Sequence, residues 1–300
     1  MISNSKSKKT KIKLSINGNG FFHGKNLVMK RTQKTSKDFN TFKKRIEKEF
    51  FRHSVIVNNP YTKWFKKGLA NTAQVKDLIE QFSVFSNHFI VTQAKRMVNA
   101  DTLEGEECAR AILLNECGVG QNVKTGSIEG NRYSNRNAHI NWLRQIANIL
   151  DLNQKKIGRW STGTKSTHTF LNGLDETYGS RDGQIGAGAS FAIETWAAFG
   201  IGHSKKEESN NFWMELVEGL KAYNKKYRVP RGLKPLPLGF FLYHFQTEAG
   251  HGVSVWQELE ETYFQADFDE EKFIKAGKQA LKAIYTFWFG LEQTRKQLAK

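Results

Sequence analysis

The sequence predicts an all-α fold: a single compact helical bundle preceded by a flexible basic N-terminal tail. Three observations carry that expectation. Apolar residues recur at helical spacing in segment after segment, as in Val75, Leu78, Ile79, Phe82, Phe85, Phe89 and Ile90. No segment alternates apolar and polar residues as a half-buried strand does, and no internal repeat is visible. The net charge of +17 is concentrated at one end: residues 1–68 hold 18 Lys and Arg against 3 Asp and Glu, and the rest hold 28 against 26. A chain of 300 residues is long enough to bury one large core.

Residues 1–41 are rich in Lys, Ser, Asn and Thr, contain Gly18-Asn19-Gly20, and lack a sustained helical period. They are expected to form the tail, and residues 42–300 the helical domain. The tail's charge points to nucleic acid or another anionic surface as a partner, without identifying one. Helical pattern begins near Phe42, with Phe42, Ile46, Phe50 and Val57 on one side. Asn59-Pro60 then breaks the chain, and Tyr61–Gly68 reads as a short helix ending at a glycine. A long amphipathic helix follows from Thr72 to Met97. Asp101-Thr102 caps the next, which runs through Ala109, Ile112 and Leu113 to Glu116 and stops at Gly118. A polar loop spans Val119 to about Arg136, broken by Gly120, Gly126 and Gly130. Ala138–Leu150 is helical again, and further helices fit 166–178, 185–199, 208–226, 237–250, 253–265 and 269–297. Pro230, Pro235 and Pro237 punctuate the approach to the first of the last three.

Cys108 and Cys117 are the sole cysteines, with no CxxC. That gives no disulfide framework and too few thiols for a four-cysteine zinc or iron–sulfur site, and it fits a reducing compartment. No apolar run reaches membrane-spanning length, and the N-terminus lacks the apolar stretch of a secretory signal. A cytoplasmic location is expected.

Chemistry concentrates in Pro237–Trp256, PLGFFLYHFQTEAGHGVSVW. His244, Glu248 and His251 stand at i, i+4 and i+7, so on a helix they fall within roughly 60° of one another over about 10 Å of its length. Glu248 and His251 form the Glu-x-x-His unit that carboxylate bundles use to hold two metals. Leu238, Phe241, Leu242 and Phe245 surround that face, so it is expected to point into a core, where it needs partners or a cation. A hydrogen-bonded core network is the bland alternative. Two further carboxylates sit in apolar surroundings. Glu116 ends AILLNECG, and Glu194 is the lone charge in GAGASFAIETWAAFG, where an unpartnered carboxylate is costly. His139 opens a helix one loop after Glu116, so a chain reversal brings the two to one end of an antiparallel pair. The other histidines have structural explanations: His23 lies in the tail, His53, His168 and His203 near helix ends or loops, and His88 beside a phenylalanine stripe. Three carboxylates and three imidazoles are roughly the inventory that two adjacent metals need. Nitrogen and oxygen ligation without thiolate suits iron, with manganese or zinc possible.

The order of these motifs resembles the heme-oxygenase-like diiron oxidases and oxygenases, structural relatives of the thiaminase TenA and of pyrroloquinoline quinone synthase. NECGVG at Asn115–Gly120, His139, Glu194 and HFQTEAGH at His244–His251 carry the resemblance. NNPYTKWFKKG at Asn58–Gly68 with VKDLIEQFSVFSNHF after it is similar to that fold's opening helices. The likeness covers about Phe42 to Arg295. It implies a fold of seven or more helices without heme, two irons per chain, and dioxygen as co-substrate. The implied ligands are Glu116, His139, Glu194, His244, Glu248 and His251, with Glu80 as candidate for a fourth carboxylate. The implied substrate is a small organic molecule (an amine, amino acid or fatty-acid-like compound) undergoing N-oxygenation, C–C cleavage or decarboxylation, and a homodimer is a possible assembly. Three features depart from the family's pattern: Glu248 stands where Asp is common, the Glu116–His139 loop is long, and Gly250 and Gly252 flank His251. The alternative function is a metal-independent TenA-like hydrolase or small-molecule-binding helical protein. A nucleic-acid-binding function rests on the tail alone, since no helix-turn-helix, zinc-finger or RNA-binding signature is present.

Overall fold

The computed structural model describes residues 34–119 and 135–299. The expectations for the first 33 residues, and for the polar loop over 120–134, lie outside the described residues. Within them the regular structure is helical, with no β-strand. The helices are α1 (Ser36–Glu49), α2 (Ser54–Val57), α3 (Pro60–Lys66), α4 (Thr72–Val98), α5 (Leu103–Glu116), α6 (His139–Ile149), α7 (Lys165–Thr177), α8 (Gly183–Ala198), α9 (Lys205–Glu208), α10 (Phe212–Tyr223), α11 (Gly239–Tyr263) and α12 (Glu270–Gln297). No helix among the described residues is long and apolar enough to cross a membrane.

Caps set most of the boundaries. Asn71 and Gln74 form a reciprocal capping box at the start of α4, Thr102 caps α5, Asp182 caps α8, and Asp269 caps α12. Several boundaries differ from the sequence expectation. The first helix opens at Ser36 rather than near Phe42, because Thr35 and Asp38 make a second capping box. It also ends at Glu49, so that Val57 belongs to the separate short helix α2. At the other end, the two helices expected over 237–250 and 253–265 are one continuous helix, α11.

The reason lies in what surrounds the two glycines that flank His251 in α11. A Cβ at Gly250 would meet nothing within 4 Å, so Gly250 needs no special backbone; one at Gly252 would stand 3.0 Å from the Ala198 Cβ. Gly252 is therefore a contact glycine that lets α11 lie against α8, not a break. The small residues of α8 serve its other side likewise: a Cβ at Gly188 would sit 2.3 Å from the Phe273 carbonyl oxygen of α12. Thus α8 is held between α11 and α12, while α4 packs against α5, α6 and α7. Aromatic rings fill the space between these sets. Phe82 lies 5.7–6.2 Å, centroid to centroid, from Trp213, Phe240, Phe241, Phe287 and Trp288.

Candidate metal centre

Four helices converge on one buried polar cluster. α5 contributes Glu116 from its last residue, and α6 contributes His139 from its first. Gly118, at φ +84°, takes the left-handed conformation that closes α5, and Val119 N donates back to the Leu114 carbonyl at 2.9 Å. Glu116 is thereby fixed at the mouth of the reversal, and His139 Nδ1 lies 2.9 Å from its Oε2. Next door, the Asn115 amide donates to the Tyr243 hydroxyl at 2.5 Å, tying this end of α5 to α11.

α11 supplies His244, Glu248 and His251 from one face, and α8 supplies Glu194. The six residues form two groups. Glu116, His139 and His244 make the first, all buried; Glu194, Glu248 and His251 make the second, with His251 half-buried. Within each group one ligand atom per residue lies within 4.8 Å of the others. Donors about 2.1 Å from a shared ion stand at most about 4.2 Å apart, so each triplet is near ligating distance and could hold a metal ion. The donors are imidazole and carboxylate without thiolate, which suits iron or manganese.

Hydrogen bonds outside the triplets orient them. His244 Nδ1 is 2.7 Å from the Phe240 carbonyl, to which only an N–H can donate, so the free lone pair of the neutral ring is on Nε2, 3.7 Å from Glu116 Oε1. The Tyr178 hydroxyl donates to Glu194 Oε1 at 2.8 Å, leaving Oε2 to face His251 Nδ1 at 3.6 Å. The same His251 nitrogen is 3.1 Å from Glu248 Oε2. Tyr178 in turn accepts from the Gln93 amide at 2.6 Å.

Electrostatics differ between the triplets. Burial pushes the Glu116 carboxyl up, but His139 and His244 outweigh it and hold the group well below the usual carboxylate range. Burial works against charge on His244 too, and the bond to Glu116 outweighs it, raising the imidazole. In the second triplet burial and the Glu248 charge push Glu194 up to about 7, with His251 opposing. Burial would lower His251, but Glu248 and Glu194 raise it to about 9.

Glu80 is not brought to either group. It lies on α4 about 160–180° around the helix from Phe82 and Phe89, and its charged neighbours are Lys156, Lys76 and Asp77. The remaining described histidines keep structural roles: His53 caps α2, His168 stacks on Trp160 at 4.3 Å, His88 abuts that indole, and His203 is exposed. Three residues that touch or adjoin the centre went unnoticed in the sequence. Tyr178, Gln93 and Ser86 are neutral side chains in ordinary helical runs, and nothing in their spacing marks them.

A cavity of about 40 Å³ adjoins both triplets. Glu116 and His244 from one triplet, and Glu194 and Glu248 from the other, form part of its wall. The rest is Phe82, Phe85, Ser86, Phe89, Ile193, Trp196, Ala197, Trp213 and Phe240.

No family model matches this chain, and no curated protein matches it in sequence. Solved structures do match it in shape. A domain of unknown function with a heme oxygenase-like fold from Shewanella denitrificans shares 13% identity over 88% of this chain and 95% of that one, with a TM-score of 0.57. A CADD-like protein of unknown function from Nostoc punctiforme shares 15% over 86% and 99%, with a TM-score of 0.59. A TenA homolog from Pseudomonas syringae pv. tomato shares 11% over 88% and 98%, also with a TM-score of 0.59. At such identities the likeness establishes the fold, and this chain has the heme oxygenase-like fold.

Proposed function

We propose that this chain is a non-heme diiron oxidase or oxygenase that activates dioxygen on a small organic substrate. The observation that carries the reading is the arrangement of six buried or half-buried ligand-type residues as two triplets on the wall of one cavity. Glu116, His139 and His244 would hold one iron, and Glu194, Glu248 and His251 the other, with manganese as the alternative metal. Bound iron supplies the electrons that reduce dioxygen. The protein's own part is positional. The Phe240 carbonyl fixes which nitrogen of His244 is free, Tyr178 holds one Glu194 oxygen so that the other faces the centre, and the aromatic wall excludes bulk water.

The fold is equally compatible with a metal-independent TenA-like hydrolase or binding protein. A cysteine nucleophile would favour that second reading, but burial and the nearby Glu258 and Glu194 push the Cys108 thiol up to about 12. Burial and Glu116 raise Cys117 as well. Neither thiol is disposed to ionise near neutrality.

The test is iron content after anaerobic reconstitution with Fe(II), followed by oxygen uptake. Wild type is expected to bind up to two irons per chain. His244→Ala and Glu194→Ala, which remove ligands from different helices and different triplets, are each expected to fall toward one. Full iron loading in both variants overturns this ligand set. Oxygen uptake is expected of the loaded wild type and lost in Glu248→Ala; the metal-independent reading expects none in either.

A further inference from the structure

Ser86 lies midway along α4, 6% exposed, and its Oγ has no hydrogen-bond partner among the described residues. That is unusual for a hydroxyl inside a helix, which ordinarily donates back to a carbonyl one turn earlier. In this protein Thr177 does so to Gly173 at 2.6 Å, Thr195 to Phe191 at 2.6 Å, Thr247 to Tyr243 at 2.9 Å and Thr262 to Glu258 at 2.9 Å. On α4 itself, Ser83 donates to the Glu80 carbonyl at 2.6 Å. Ser86 instead lines the cavity beside the two triplets. A buried hydroxyl left without a partner is destabilising, so its place on that wall calls for a ligand.

We propose that the cavity receives a hydrocarbon part of the substrate bearing one uncharged hydrogen-bonding atom, and that Ser86 engages that atom. This rests on the function proposed above and narrows its substrate class. Aside from the triplets' own groups, no charged side chain lines the cavity. A zwitterionic amino-acid end lodged against the α4 side would find no counter-charge there, whereas a carbonyl, ether or alcohol oxygen finds the hydroxyl. The remaining wall is aromatic and aliphatic and selects for apolar bulk. Size sets the other limit. At about 40 Å³ the cavity holds only a compact group. A longer substrate therefore places only one end in the cavity.

Trp196 and Trp213 are part of the wall, so binding reads out as a change in indole fluorescence. n-Hexane, 1-hexanol and glycerol are titrated into the full chain, wild type and Ser86→Ala, the alkyl chain of the first two being slender enough to place only its end in the cavity. Loss of one neutral hydrogen bond corresponds to about fivefold in affinity. Ser86→Ala is therefore expected to weaken 1-hexanol about fivefold while leaving n-hexane unchanged or tighter, and glycerol is expected not to bind. The proposal is overturned if Ser86→Ala moves both six-carbon probes alike, as it would were the hydroxyl served only by water. It is overturned equally if neither six-carbon probe binds wild type up to its solubility, or if glycerol binds as well as 1-hexanol. Iron content on the same samples separates this idea from the metal centre. Ser86 belongs to neither triplet, so Ser86→Ala is expected to load iron as wild type does. Failure of every protein to load iron sinks the centre and leaves probe selectivity standing; lost selectivity with normal iron sinks the Ser86 assignment alone.

Discussion

The Tyr178 hydroxyl stands between the Gln93 amide, from which it accepts, and Glu194 Oε1, to which it donates. Burial, with the Glu194 charge adding to it, holds the phenol well above its ordinary range, so it stays a donor at any working pH. Tyr178→Phe removes that donor without removing a ligand, and outer hydrogen bonds of this kind are worth about 10–100-fold in metal affinity. The expected result is one weakened iron per chain and one unchanged, read by equilibrium metal competition; equal weakening of both irons would mean general disorder instead. Protons give a second residue-scale prediction. Without metal, Glu194 keeps a proton up to about pH 7 and His251 up to about pH 9. Metal needs both bare, so affinity should rise with pH between about 6 and 9, with protons released on binding. Isothermal titration in buffers of different ionisation enthalpy measures that release, and a pH-independent affinity would argue against this triplet. The six ligand-type residues were legible because they are charged or imidazole groups in apolar runs. Tyr178 and Ser86 were not, since a phenol or hydroxyl on a helix face is informative only once its neighbour is known.

At the scale of an element, glycine was where sequence reasoning misjudged α11. Paired glycines beside His251 read as a break, yet nothing in a helix identifies a glycine as a breaker unless its backbone leaves the helical region. Gly250 and Gly252 do not leave it. What separates them is the neighbouring helix, which no single-sequence pattern reveals. Two substitutions test that distinction by urea unfolding. Gly250→Ala adds a methyl into open space and should stabilise by about 0.5–1 kcal/mol through the lost backbone entropy of the unfolded chain. Gly188→Ala drives a methyl to 2.3 Å from a backbone oxygen of α12, which cannot rotate away, and should destabilise by about 2 kcal/mol or more. Similar effects for both would show that α8 and α12 are not in the close contact described.

For the whole molecule, the helical class was legible because each long helix shows its apolar stripe in a short window of sequence. How far the bundle extends toward the N-terminus was not. Phe39 belongs to the basic segment by composition, yet it is 4% exposed, with its ring centroid 4.9 Å from that of Tyr263. Lys34 reaches the Phe268 carbonyl at 3.0 Å, and Thr35 caps the helix that carries Phe39. Charge and packing therefore divide at different places along the chain, and two truncations separate them. Residues 1–33 hold eight Lys and Arg and no acidic residue. Chains starting at residue 34 and at residue 41 should both lose much of the wild type's salt-dependent retention on a polyanion column. Their stabilities should differ. The shorter chain loses the cap, worth about 1 kcal/mol, and the burial of Phe39, worth about 3 kcal/mol when a phenylalanine is cut back in a core. Fraying of a terminal helix reduces the sum, so a fall of about 6–12 °C in Tm relative to the longer truncation is expected. Equal melting temperatures would show that α1 ahead of residue 41 contributes nothing to the bundle, and that its capping and the Phe39–Tyr263 contact do not persist in solution.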